Sequence, residues 1–71
     1  MMRVGIVGLG TIGRAMCQAI DRGEVDVRLV GVTTRGRERA QAFLGGLRHP
    51  PPWRDLDDLI RHSELVIEAA T

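Results

Sequence analysis

The stretch VGLGTIGRAM, residues 7–16, sets three glycines, Gly8, Gly10 and Gly13, directly behind an apolar run. Glycine inside an element costs about 0.5–1 kcal/mol relative to alanine. Three of them within six positions mark a place where something must come close to the backbone. The run before them, RVGIV at 3–7, is short, apolar and rich in β-branched residues, which predicts a strand. After them Ile12, Ala15, Met16, Ala19 and Ile20 recur at spacings of three and four, which predicts a helix over 12–20 with those residues on its inner face. The glycines therefore stand as G-x-G-x-x-G between a strand and a helix.

That context gives each glycine a task. Gly8 permits the tight bend, Gly10 leaves no side chain to hold a pyrophosphate off the main chain, and Gly13 lets the helix pack close against the strand. The helix N-terminus adds unpaired N–H groups and a partial positive charge, which attract phosphate. The competing reading is a glycine-rich packing turn that holds no ligand.

Outward from this turn, Asp21, Arg22 and Gly23 end the helix, with Gly23 as a left-handed cap. DVRLVGVT at 26–33 predicts a second strand. A second helix starts near Gly36, turns Ala40, Phe43, Leu44 and Leu47 inward, and stops at Gly45-Gly46. Three consecutive prolines, Pro50 to Pro52, exclude a central strand or helix interior and leave at most a short edge strand around Pro52-Trp53. Asp55 is placed to cap a helix over 56–62 with Leu56, Leu59 and Ile60 inward, and ELVIEAA at 64–70 predicts the last strand.

Strands that alternate with helices and read as continuous apolar runs belong to a parallel sheet covered on both faces. The fold class is thus α/β: a Rossmann-type parallel sheet, its first βαβαβ half, with 26–33 on one side of 3–7 and 64–69 on the other. At 71 residues there is room for one small domain. The chain stops at the end of a strand, so the sequence predicts a partial domain, 1–71 being the N-terminal portion of a dinucleotide-binding domain whose substrate domain lies outside it.

A net charge of +1 argues against nucleic acid or a membrane surface as partner by bulk charge. The single cysteine, Cys17, can form no internal disulfide and fits a reducing cytoplasm. Met1-Met2-Arg3 leads straight into a strand pattern, unlike a signal peptide, and no apolar run reaches the roughly 20 residues of a membrane span.

The end of the second strand tests the cofactor. An NAD-type site places Asp or Glu about 20 residues beyond the glycines to hold the ribose hydroxyls. Here the chain reads Val32-Thr33-Thr34-Arg35; Asp26 is at the wrong end of the strand and Glu38 falls on the helix. A small hydroxyl followed by an arginine removes the repulsion an acid would exert and supplies a phosphate-binding fork. The residues therefore favour NADP over NAD, with Arg35 on the ribose side and Arg37 and Arg39 as ordinary solvated residues of a helix start.

RVGIVGLGTIGRAM, LVGVTTRGRERAQ and DLDDLIRHSELVIEAAT together resemble the N-terminal part of the aspartate dehydrogenases, within a wider group that includes Gfo/Idh/MocA-type sugar oxidoreductases and homoserine dehydrogenases. The resemblance covers nearly the whole chain. It implies NAD(P)-linked oxidative deamination of aspartate in a homo-oligomeric cytoplasmic enzyme, with catalytic residues beyond this region. It also implies that Gly8, Gly10, Thr11, Ile12 and Gly13 line the diphosphate, that Thr34 and Arg35 meet the adenosine ribose or its phosphate, and that Ala69, Ala70 and Thr71 approach the nicotinamide side. Thr34 departs from the Asp that many relatives carry. The alternatives are a dehydrogenase of sugars or other small molecules, and a non-catalytic NADP(H)-binding module.

The remaining chemistry-bearing residues read as structural. His49 and His62 have no partner spaced for a triad, one cysteine and two distant histidines make no metal set, and Asp55, Asp57 and Asp58 suit a helix start. Glu68 stands between Ile67 and Ala69, where burial requires a partner.

Overall fold

A computed structural model describes residues 1–70. Its elements run β1 (Met2–Val7), α1 (Thr11–Asp21), β2 (Val27–Thr33), α2 (Arg37–Leu44), α3 (Leu56–His62) and β3 (Leu65–Glu68). The three strands form one parallel sheet in the order β2-β1-β3. A single parallel bridge, Val32 to Trp53, adds the trace of a further strand outside β2. The spatial sequence is therefore Trp53, β2, β1, β3, the first four positions of the doubly wound order.

Alternation along β1 separates the two faces. Val4 and Ile6 are buried in a cluster with Cys17 of α1, Leu44 of α2, Val32 and Ala69. Gly5 points the other way, paired in register with Gly31. Leu59 of α3, wholly buried, fills the socket those two glycines leave: a Cβ on Gly5 would lie 2.7 Å from Leu59 Cδ1, and one on Gly31 2.9 Å from it. A short helix on a pair of glycines thus covers the second face.

β2 does not alternate throughout. Its register against β1 slips between Val4 and Gly5, where Leu29 and Gly31 are the successive partners and Val30 is extra. This bulge puts Val27, Leu29 and Val32 on the same side of the sheet. The Val30 carbonyl is not lost, because Arg54 Nε donates to it at 2.9 Å. Arg54 NH1 also donates to Asp58 at 2.8 Å, which holds that carboxyl below the usual aspartate range.

The helix ends follow local chemistry. After α1, Gly23 (φ 78) donates to Ile20 O and Glu24 N to Ala19 O, the two bonds of a Schellman ending. Asp55 caps α3 by accepting from Asp58 N at 2.9 Å. Asp21 closes α1 onto the loop after α2: its two carboxylate oxygens accept from Arg48 N and His49 N, each at 2.8 Å.

Two expected inner faces are corrected. In α1 the buried residues are Gly13 and Cys17, with Met16 and Ile20 beside them, whereas Ile12 is 58 % exposed and Ala15 faces out. The helix is turned so that its smallest residues meet the sheet. In α3 only Leu59 enters the core, and Leu56 and Ile60 stay half exposed, because a glycine socket admits one side chain. The last strand is also shorter than expected, ending at Glu68, although Ala69 N still donates to Val7 O at 2.7 Å.

Gly5→Ala forces its methyl onto Leu59 Cγ, 2.8 Å away, and should cost about 1–3 kcal/mol, read as a lower denaturation midpoint. Asp21→Asn should lower the melting temperature at neutral pH. The amide bonds from Arg48 and His49 hold the Asp21 carboxyl below its ordinary value, so its contribution is full above the unfolded-state pKa and vanishes as pH falls through the folded one. Parent and variant should therefore converge in acid, as thermal melts across pH 2–7 would show.

Candidate functional site

The glycine turn lies where the C-terminal ends of all three strands meet. Gly8 adopts φ 96, a region that favours glycine, and its N–H donates to Thr33 O at 2.9 Å. A Cβ there would run into the backbone of Ala70, whose nitrogen would be 2.7 Å away. A Cβ on Gly13 would strike the Gly8 carbonyl oxygen, with the Gly8 carbonyl carbon at 3.1 Å and Ala69 Cβ at 3.6 Å. Backbone geometry and packing thus account for the first and third glycines.

Backbone geometry does not account for the second. Gly10 is the N-cap of α1 with φ −72 and ψ −167, a conformation any residue adopts. Ser, Thr, Asp and Asn stabilise that position through a side-chain bond to the first turn. Here no side chain caps the helix, and no acidic residue occupies its first turn. An uncapped N-terminus of this kind presents amide N–H groups and positive potential to an anion from outside.

Thr11 and Ile12 follow on the exposed rim of this turn. On its other side Ala69 is buried against it and Ala70 is exposed, with Ala70 N donating to Glu68 Oε1 at 3.1 Å. Glu68 does not enter the core; it is exposed and folds back on the strand end. Thr71 lies outside the described residues. Gly8, Gly10, Thr11, Ile12, Gly13, Ala69 and Ala70 are thus brought to one crevice, at the point where the sheet's winding reverses between β1 and β3.

Thr34 and Arg35 sit just past the end of β2, and Thr34 borders two spaces. An open cleft of about 570 Å³ is lined by Leu9 and Arg14 from the glycine turn and by Thr34, Arg37, Glu38, Arg39 and Phe43. Arg35 is exposed and borders a smaller cavity with Gly8, Glu68 and Ala70. Arg37 and Arg39, expected to be ordinary solvated residues, line the larger cleft, and the Arg37 guanidinium carbon lies 4.8 Å from the centroid of the Trp53 ring.

Sequence reasoning did not place Arg14, Phe43 or Trp53 here. Arg14 Nε donates to Leu9 O at 3.0 Å, and its guanidinium reaches over the Phe43 ring, 5.6 Å from the centroid. Its position next to Gly13 was the available signal. Trp53 is 19 residues beyond Thr34 and meets it only through the fold.

Other candidates stand apart. The His62 ring contacts Asp58 O at 2.8 Å, and Arg3 Nε donates to His62 O, which puts this pair at the start of the strands. Burial pushes the Cys17 thiol up to about 11, which suits a core residue and not a nucleophile.

A family model described as the NAD-binding domain of homoserine dehydrogenase matches residues 8–71. The chain belongs to that family. An NAD-binding domain supports a nicotinamide dinucleotide cofactor, and the bare turn described above fits one. Among curated relatives, L-aspartate dehydrogenase of Bradyrhizobium diazoefficiens is 42 % identical over 69 residues, covering 97 % of this chain and 24 % of that protein. L-aspartate dehydrogenase of Methanocella arvoryzae is 39 % identical over 70 residues, covering 99 % and 26 %. Among solved structures, UDP-N-acetylglucosamine 3-dehydrogenase of Acidithiobacillus ferrooxidans matches with TM-score 0.77 and 27 % identity, covering 99 % of this chain and 22 % of that one. The chain spans about a quarter of the length of the curated relatives it matches.

Gly10→Val should abolish dinucleotide binding while leaving the circular dichroism spectrum close to the parent's, because the backbone conformation at Gly10 is one any residue adopts. Gly13→Ala should lose both binding and stability, because its methyl meets a main-chain oxygen that cannot move aside. The pair separates a ligand-clearing glycine from a packing one.

Proposed function

We propose that residues 1–71 are the first portion of the cofactor domain of an NADP-linked dehydrogenase acting on L-aspartate. The uncapped start of α1 at Gly10, a glycine that its backbone conformation does not call for, carries the cofactor part of this reading. The curated relatives' names carry the substrate.

In this reading Gly8, Gly10, Thr11, Ile12 and Gly13 hold the diphosphate through main-chain amides. Ala69, Ala70 and Thr71 border the nicotinamide side, where small side chains let the ring approach. When bound, the cofactor accepts the hydride released as the substrate's C–N bond is oxidised. What the chain itself supplies is position: the turn is fixed by Gly8 N to Thr33 O on one side and Ala69 N to Val7 O on the other. The residues that orient the substrate lie in a separate domain. The lone buried thiol of Cys17 suits a reducing, cytoplasmic setting.

The NADP part rests on the charge around the end of β2. Thr34 stands where an NAD site holds a carboxylate, and Arg35, Arg37 and Arg39 surround it. Among the described residues, the ion pairs of the chain leave all three arginines without a carboxylate. A ribose 2′-phosphate meets such guanidinium groups through charge-assisted bonds. One observation favours NAD instead: Glu38 lines the same cleft and could take the ribose hydroxyls.

Titration of the full-length protein decides between them. NADP should bind more tightly than NAD, and Arg35→Asp should weaken NADP by about tenfold or more while NAD changes less. Equal affinity for the two removes the phosphate role, and a selective loss of NAD in Glu38→Gln would assign the cleft to ribose hydroxyls. L-aspartate should support reduction of the bound coenzyme; turnover only with a sugar nucleotide, or binding without turnover, would replace the substrate assignment.

A further inference from the structure

Trp53 is separated from the glycine turn by the proline run, yet it reaches the loop between β2 and α2 in three ways. Its backbone bridges to Val32, flanked by Val32 N to Pro52 O at 3.1 Å and Arg54 N to Val32 O at 2.9 Å. Its indole Nε1 donates to Thr34 Oγ1 at 3.1 Å. Its ring carries the Arg37 guanidinium at 4.8 Å. Thr34 Oγ1 donates in turn to Gly36 O at 3.1 Å.

A threonine hydroxyl has one proton to give. Here Gly36 O takes it, and Trp53 occupies a lone pair. The hydroxyl that replaces the ribose-binding acid therefore has no proton left for a ligand, and its bonds go into the shape of the loop. Arg37, by contrast, has its guanidinium over the indole ring and is unpaired by any carboxylate among the described residues. A guanidinium stacked in this way is held in place without using its hydrogen-bond donors. Arg37 lines the same cleft as Leu9 and Arg14.

We propose that Trp53 is a positioning residue for coenzyme specificity: by fixing Thr34 and stacking Arg37 it presents the Arg37 guanidinium to the 2′-phosphate of the adenosine ribose. The proposal rests on the reading of this cleft as the adenosine end of the cofactor site. Glu38 opposes a phosphate there, but Arg14, Arg37 and Arg39 line the same cleft and outweigh one carboxylate.

The test compares the full-length protein with Trp53→Phe, Trp53→Leu, Arg37→Leu and the double variant Trp53→Leu/Arg37→Leu. Calorimetric titrations use NADP, NAD, adenosine 2′,5′-bisphosphate and AMP. Trp53→Leu should weaken NADP and the bisphosphate about three- to tenfold, with NAD and AMP within about twofold. Trp53→Phe keeps a ring under Arg37 and loses only the indole donor, so its loss should be selective and smaller. Arg37→Leu should weaken NADP by about tenfold or more. In the Arg37→Leu background, removing Trp53 should add nothing to the loss.

A selective loss in Arg37→Leu with equal or no loss in Trp53→Leu overturns the positioning role and leaves the cleft's assignment standing. A parent that does not prefer NADP, with no discrimination in the Arg35 or Arg37 variants, removes the assignment and this proposal together. Should Trp53→Leu fail to fold, Trp53→Phe decides, and NADP binding identical to the parent's overturns the role.

Discussion

The contact between the first turn of α1 and the ends of β1 and β3 is the constraint on which the rest of the molecule depends. Gly13 lies directly on the Gly8 carbonyl, and Gly8 lies directly on the backbone of Ala70. No side chain intervenes at either place. This closeness brings the helix N-terminus down to the strand ends, so that its free amides stand over the crevice. Hydrogen bonds from Gly8 to Thr33 and from Ala69 to Val7 then tie the turn to both flanking segments. The site is stiff because it is made of main chain, and main chain cannot rotate away as a side chain can.

The opposite face is built on the same economy. Gly5 and Gly31 face each other across β1 and β2 and leave a hollow for Leu59. A domain this small buries little surface, so close backbone approach raises the yield of each buried side chain. The consequence is visible in α3: one residue is anchored, and Leu56 and Ile60 remain half exposed, as do Leu65 and Val66 on β3. The second layer is thinner than the first, where α1 and α2 share the cluster around Ile6 and Val32.

Most of the fold was legible because local signals agreed with one another. Strand pattern, glycine turn and helical period met within residues 3–20, and Gly23, Gly36 and Asp55 stood where the helices start or stop. What escaped the sequence was non-local. Ile12 and Ala15 fit the helical period of α1 as well as Cys17 does, but the helix is rotated by the demand that Gly13 touch Gly8, and periodicity does not register that demand. The bulge at Val30 reverses the phase of β2 midway, and only the Arg54 side chain, arriving from beyond the prolines, reveals why its carbonyl is tolerated. The glycine turn could be read because its residues are contiguous. The cleft beside the end of β2 could be read only in part, since Arg14 and Phe43 line it from two segments and Trp53 meets its Arg37 from a third.

The proline segment illustrates how an irregular stretch can shape a site it does not border in sequence. Three prolines remove three backbone donors, so this stretch cannot build a strand ladder beside β2. The chain keeps a single bridge at Trp53, just past the last proline, where N–H groups resume. That bridge fixes the indole beside Thr34. With an ionised carboxylate at position 34, the oxygen that now donates to Gly36 O would have no proton to give, and two acceptors would face each other. The threonine and the tryptophan are therefore a matched pair: a hydroxyl can satisfy a carbonyl and an indole at once, and an ionised acid cannot. A hydroxyl in place of an acid at position 34 is thus matched by the bonding of this loop as well as by its charge.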